Sequence, residues 1–212
     1  MHFRYGINDS GQRVTLERSG QRAKCELCGG ALIGRCGSIV GWHWAHMNSQ
    51  NCDSWAEGLT QWHIAWQKYL ADHKDARIEV PIARNGVIHR ADAVLPADRI
   101  FEIQHSAIPP KEIEKREEFY GERLVWIIDA RDAFAKKRFE LRKKTERGHT
   151  FRWKHPRKSI NFAKRKIILD LGDGCIFLLR KIYFDTCCAG IGKLYYLPEL
   201  KVYEMKGEEL PR

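Results

Sequence analysis

No stretch of this 212-residue chain is apolar for long enough to cross a bilayer as a helix, which takes about 20 such residues. The opening residues, Met1-His-Phe-Arg-Tyr-Gly6, lack the apolar core of a secretory signal. The chain has no internal repeat and no low-complexity tract, which argues against a solenoid or a long disordered linker. Together these absences set the expectation of a cytoplasmic protein with no membrane partner. Apolar residues make up 43% of the sequence, an ordinary share for a folded chain.

Acidic residues are scarce in one place only. Residues 136–166 hold 14 Lys/Arg against 2 Glu, whereas residues 1–130 hold 16 against 17. The overall charge of +10 therefore resides in one segment, which predicts a polyanionic partner, with DNA first. Lys143, Lys144, Arg147 and Arg152 are its candidate phosphate contacts. Phe139, Phe151, Trp153 and Phe162 are interleaved with these charges, either to stack on unpaired bases or to form the core face of a basic helix.

Seven cysteines cannot all pair within one chain, and four of them precede residue 53. In a reducing compartment that clustering favours metal over disulfides. Cys25-Glu-Leu-Cys28 followed by Gly29-Gly30 has the form of a zinc knuckle, in which two thiolates grip one ion and the glycines let the backbone turn beneath it. His46 and Cys52 are the favoured second pair, giving a Cys3His set. His43 with His46 is the main rival, and Cys36 is a weaker candidate. Such a zinc would be structural, because four protein ligands leave no open position.

From Ser54 the spacing of Trp55, Leu59, Trp62, Trp66, Tyr69 and Leu70 predicts a helix capped by Ser54. Strands are expected at Arg77–Ile82, Val87–Leu95, Arg99–Ser106 and Leu124–Ile128, with a helix from Lys111 to about Glu122. The tail is expected to begin as a basic helix and to continue as strands. Pro96-Ala97-Asp98 reads as a three-residue hairpin loop that pairs Leu95 with Arg99. Counting back along both strands sets Asp92 opposite Glu102, with Gln104 on the same face as Glu102. Opposed like charges are destabilising, and a divalent cation held by both carboxylates is the simplest compensation.

An ordered series of motifs now stands along residues 5–130. It comprises Tyr5-Gly-Ile-Asn8, the Cys25/Cys28 knuckle, His43-Trp-Ala-His46, Cys52-Asp-x-Trp-x-Glu57 and Trp62-His-x-x-Trp66. Arg90-Ala-Asp92, Phe101-Glu-Ile-Gln-His-Ser106, Glu112-Ile-x-x-Arg116-x-x-x-Tyr120 and Trp126-Ile-Ile-Asp129 follow. This series resembles the CoiA-like competence protein family, whose members resemble nucleases of the PD-(D/E)xK superfamily. The resemblance implies an α/β fold, with a zinc-knuckle module over residues 1–54 and a PD-(D/E)xK-like nuclease core, a mixed central sheet flanked by helices, over 55–130; the charge and pattern of the tail add a basic C-terminal region over 131–212, helix then β extension. It implies a Mg2+- or Mn2+-dependent deoxyribonuclease with Asp92 and Glu102 as catalytic metal ligands. Glu57 would contribute from the first helix, ranked above His63, and Gln104 would orient water. Gln104 occupies a position that is usually Lys in the superfamily, so the alternative is an inactive DNA-binding accessory protein. Arg116 would bind phosphate or hold a catalytic carboxylate. DNA uptake, recombination and defence against foreign DNA are the settings implied, with a second copy or a recombination or defence protein as further partner classes.

Overall fold

A computed structural model of the chain describes residues 3–37, 41–48, 52–53, 55, 58–183 and 188–197. Its architecture is mixed α/β and mostly sheet. Among the described residues no helix is long and apolar enough to cross a membrane.

Five short strands come first: β1 (Tyr5–Ile7), β2 (Arg13–Thr15), β3 (Arg22–Lys24), β4 (Ala31–Arg35) and β5 (His43–His46). They form an antiparallel sheet in the order β2-β1-β3-β4-β5. Its buried core is only Phe3, Cys25, Leu32 and Trp44 among the described residues. A core this small needs a metal or a docking surface to stay folded.

The second sheet has nine strands. They are β6 (Arg77–Arg84), β7 (Val87–Val94), β8 (Ile100–Gln104), β9 (Leu124–Asp129), β10 (Phe139–Thr145), β11 (Gly148–Trp153), β12 (Lys166–Gly172), β13 (Cys175–Tyr183) and β14 (Cys188–Tyr196). Their order is β10-β11-β14-β13-β12-β9-β8-β7-β6, with β8, β9 and β12 mutually parallel and the rest antiparallel. Helix α1 (Gln61–Lys74) packs Trp62, Trp66, Tyr69 and Leu70 against Ile103 and Ile127. Helix α2 (Pro110–Tyr120) brings Ile113 and Tyr120 into the cluster that holds Trp126 and Ile128. Strand β9 is thus buried on both faces, which is why its sequence is an unbroken apolar run.

The first helix does not begin at Ser54. Thr60 is extended, its Oγ1 accepts the His63 N–H at 3.2 Å, and α1 starts at Gln61. Trp55 and Leu59 precede the helix, so the helical spacing that suggested a longer element mixes residues from two structures. Ser54 itself lies outside the described residues. Pro110 begins α2 as its first-turn residue, as expected.

The basic segment is not a helix either. It follows the five-residue α3 (Arg131–Ala135), forms the β10–β11 hairpin and then runs through one 3-10 turn (Lys158–Asn161) to β12. Phe139, Phe151 and Trp153 are fully buried and Leu141 partly so, alternating with polar residues. This period of two is the signature of a strand. The three aromatic side chains pack edge-on and stacked with one another and around Phe177. They are core, whereas Phe162 is exposed. The tail strands, whose place the sequence leaves open, extend the same sheet, with β12 pairing in parallel with β9. Asp170 of β12 ties this extension to α1. Its Oδ2 accepts the indole N–H groups of Trp62 at 2.7 Å and Trp66 at 2.8 Å, while Oδ1 accepts the Gly172 N–H at 2.8 Å.

Candidate acidic pocket and metal centre

The β7–β8 hairpin has the register expected from its loop. The Leu95 N–H donates to the Arg99 carbonyl at 2.9 Å, and Val94 faces Ile100 as Ala93 faces Phe101. One step further, Asp92 falls opposite Glu102. The backbone ladder ends there, and the Asp92 carboxylate takes its place: Oδ2 accepts the Ile103 N–H at 2.7 Å.

A third carboxylate stands in the same row. The β6–β7 pairs Ile78–Ala93 and Val80–Ala91 bracket Glu79 and Asp92, so Glu79, Asp92 and Glu102 lie side by side on three adjacent strands. Glu79 has a φ of +52°, a left-handed conformation inside a strand that costs of order 1–3 kcal/mol for a residue with a side chain. The kink shows in the packing. Ile78 and Ala93 join the α1 cluster, whereas Val80 and Ala91, two residues on, join the α2 cluster. The freed Glu79 carbonyl accepts from Arg13, which also donates to the Ile78 carbonyl at 2.8 Å. The N-terminal sheet therefore clamps the kink. Sequence reasoning missed Glu79, because alternation within Arg77-Ile-Glu-Val-Pro-Ile82 gives no sign of a left-handed residue.

Glu79, Asp92, Glu102, His63, Arg90, Gln104 and Arg116 line one pocket, closed by Phe3, Trp55, Leu59 and Ile103. About 30 Å³ of open space remains in it, enough for one or two waters or a bare cation. Each carboxylate has one basic neighbour. Glu102 Oε2 accepts from Arg116 Nη1 at 2.7 Å, Asp92 Oδ1 lies 3.2 Å from His63 Nε2, and Glu79 Oε2 accepts from Arg90 Nη1 at 3.4 Å. Burial pushes the Glu102 carboxyl up, and the Asp92 charge adds to it. Arg116 offsets this only in part, leaving Glu102 at about 8. Its Oε1 is buried and makes no well-formed hydrogen bond, although the buried Tyr120 hydroxyl close by helps hold the carboxyl down. Burial would lower His63, but Asp92 outweighs it and holds the imidazole above its usual range. Burial likewise raises Glu79 against the opposing Arg90. Of the two roles open to Arg116, its surroundings favour holding the carboxylate. It is buried, and beyond Glu102 it donates to Glu112 and to the Trp55 carbonyl, so it does not face solvent as a DNA contact would.

Glu57 lies outside the described residues, and α1 begins after it. From α1, His63 reaches the Asp92 carboxylate, and Gln67 Nε2 donates to the Asp92 carbonyl at 3.5 Å. Gln104 lines the pocket, and its Nε2 donates to the Ser106 carbonyl at 3.0 Å.

A second cluster forms below the N-terminal sheet. One ligand atom each from Cys25, Cys28, His46 and Cys52 lies within 4.8 Å of the others. The Cys25–Cys52 sulfur separation is 3.6 Å, and Cys28 Sγ lies 3.2 Å from His46 Nε2. Tetrahedral zinc with bonds of about 2.0–2.3 Å spaces its ligands by about 3.3–3.8 Å, so this Cys3His group could hold a zinc ion. Gly29, at φ +68°, makes the turn under the site, and the Gly30 N–H points at Cys28 Sγ at 3.4 Å. His43 and Cys36 are not in the group. His43 Nδ1 instead lies 2.7 Å from the Gly41 carbonyl.

Neither a family model, nor a curated protein, nor a solved structure matches this chain. The chemistry of the site therefore rests on its own residues. Among the described residues, the three pocket carboxylates and His63 do not converge as tightly as the Cys/His group does. Lys143, Lys144, Arg147 and Arg152 are exposed on and around the β10–β11 hairpin, five to six strand steps from β8. At about 4.8 Å per step that separation is about 24–29 Å.

Proposed function

We propose that the chain is a metal-dependent nuclease that hydrolyses phosphodiester bonds in DNA, with Asp92 and Glu102 holding Mg2+ or Mn2+ and the Cys3His group holding a structural zinc. The observation that carries this reading is the Oε1 of Glu102, an acceptor without a well-formed hydrogen bond, buried beside Asp92 in a pocket with room for a cation. The donor set fits, because hard divalent cations prefer carboxylate oxygen. When bound, such a cation supplies Lewis acidity toward a phosphate oxygen and lowers the pKa of water.

The remaining roles belong to the side chains. Arg116 fixes the Glu102 carboxylate through Oε2 and leaves Oε1 to face the pocket. His63 orients Asp92 and, once unprotonated, would be placed to take a proton from attacking water. Gln104 orients water through its amide in place of the usual Lys, though an amide cannot titrate. The exposed lysines and arginines of the β10–β11 hairpin hold the DNA backbone, so affinity falls steeply with salt. The order of helix, three strands, helix and strand supports the CoiA-like resemblance and a PD-(D/E)xK-like core.

A second reading is an inactive DNA-binding accessory protein. Gln104 favours it, as does the pairing of every pocket carboxylate with a basic neighbour. A plasmid-nicking assay with Mg2+ or Mn2+ separates the two. The enzyme reading requires nicking that Asp92→Ala abolishes while DNA binding persists. Binding by the native chain with no nicking under either cation selects the accessory protein.

A further inference from the structure

The two clusters are joined by one side chain. Arg90 is buried on β7, two residues before Asp92. Its Nη1 donates to Glu79 Oε2 at 3.4 Å, its Nη2 lies 3.9 Å from Cys25 Sγ, and its guanidinium carbon sits 4.2 Å over the Phe3 ring. Both contacts are long, and the buried Nε–H has no acceptor. This cation is shared between two sites and satisfied by neither. The clip around it is also shared. Asp53, which follows the ligand Cys52, accepts the Arg90 backbone N–H at 2.8 Å and faces His89 Nδ1 at 2.9 Å. Glu79 is reached from the N-terminal sheet as well, by the Arg4 N–H at 2.8 Å.

We propose that Arg90 is a positioning residue that couples metal occupancy of the Cys25–Cys28–His46–Cys52 cluster to the cation affinity of the acidic pocket. The inference rests on the reading that this pocket takes a divalent cation. Three thiolates and one zinc would carry a net negative charge beside the guanidinium and would fix Cys25 in place. The loaded cluster would therefore hold Arg90 toward Cys25. Without metal nothing fixes Cys25 beside it, and the guanidinium turns to Glu79 and Asp92, where its charge repels a second cation. Zinc in one site thus favours Mn2+ in the other, and linkage makes the effect reciprocal.

The full chain is titrated with Mn2+, with and without zinc, following free Mn2+ by electron paramagnetic resonance. Wild type should lose about five- to a hundredfold in Mn2+ affinity when zinc is removed. In Arg90→Gln the affinity should be the same with and without zinc, and in the zinc-free state it should exceed that of wild type. A readout that needs no zinc removal follows from reciprocity. With 113Cd in the Cys3His cluster, adding Mg2+ should shift the cadmium resonance in wild type and leave it unmoved in Arg90→Gln. An equal zinc effect in both proteins, together with a cadmium shift that ignores Arg90, overturns the coupling and leaves the pocket reading intact. If Mn2+ binds to none of the four samples, the pocket reading falls and takes the coupling with it.

Discussion

Replacing Glu102 with Gln should remove a pH dependence of folding that the wild type carries. The carboxyl stands at about 8 in the folded protein against an ordinary 4.5. The sign follows from the raised value. Below 4.5 the group is neutral in both states, and its contribution to stability is fully present. As pH rises toward and through 8, the unfolded chain ionises freely while the folded one resists, and stability is lost. At 1.36 kcal/mol per pKa unit, the loss between pH 5 and pH 9 is about 4 kcal/mol. Gln keeps an acceptor for Arg116 Nη1 and never ionises, so the variant should lack this part of the slope. Urea denaturation of both zinc-loaded proteins at pH 5, 7 and 9, without Mg2+ or Mn2+, measures the difference, and the subtraction cancels the titrating groups that do not interact with Glu102. Addition of Mn2+ at pH 9 should restore the wild type and leave Glu102→Gln unchanged. Parallel stability curves for the two proteins across this range would refute the reasoning, because Glu102 would then be an ordinary ion pair with Arg116.

Three further outcomes are expected. Metal analysis of the purified chain should find one zinc per molecule, and Cys28→Ser should lower zinc retention and loosen the N-terminal sheet, read as faster amide exchange at β3–β5. Asp170→Ala should cost about 2–4 kcal/mol in urea denaturation, since it strands the indole N–H groups of Trp62 and Trp66, with a matching change in tryptophan fluorescence. Lys143→Glu with Lys144→Glu should weaken DNA binding across sequences and flatten the salt dependence by about one unit of slope per lost phosphate contact, measured by fluorescence anisotropy from low to moderate salt.

The parts that were legible in the sequence are those fixed by short-range geometry. Cys25 and Cys28 declare their site through spacing and glycines, and the Pro96-Ala97-Asp98 loop fixes a register that carries Asp92 to Glu102 without tertiary information. Strand β9 is legible because burial on both faces demands an unbroken apolar run. What misled were features with two physical sources. Trp55 and Leu59 kept helical spacing with Trp62 by coincidence, since Thr60 caps a helix that starts later. The charge of residues 136–166 drew attention to a basic helix, although the period-two placement of Phe139, Leu141, Phe151 and Trp153 was already in the sequence. Some of that charge is internal: Arg157 donates to the carbonyls of His105 at 2.7 Å and Asp129 at 2.9 Å, fastening the ends of β8 and β9.

Glu79 was not legible, because its role depends on a kink clamped from another sheet. Its presence changes what the acidic row needs. Three carboxylates face three basic side chains, an arrangement that at first sight is balanced without any metal. The Glu102 carboxyl shows that the balance is incomplete. An adjacent guanidinium at 2.7 Å ordinarily holds a carboxyl below its usual range, yet Glu102 is pushed up to about 8. Burial is the largest cause, Asp92 adds a second negative charge close by, and Arg116 is divided between Glu102 and Glu112. The pocket therefore does not fully stabilise the ionised carboxylate. Near neutral pH a proton on Glu102 makes up the difference, and a divalent cation competes for the same oxygens. Competition of this kind ties Mn2+ affinity to pH below about 8, and a flat dependence from pH 6 to 8 would mean that Glu102 does not take part in binding.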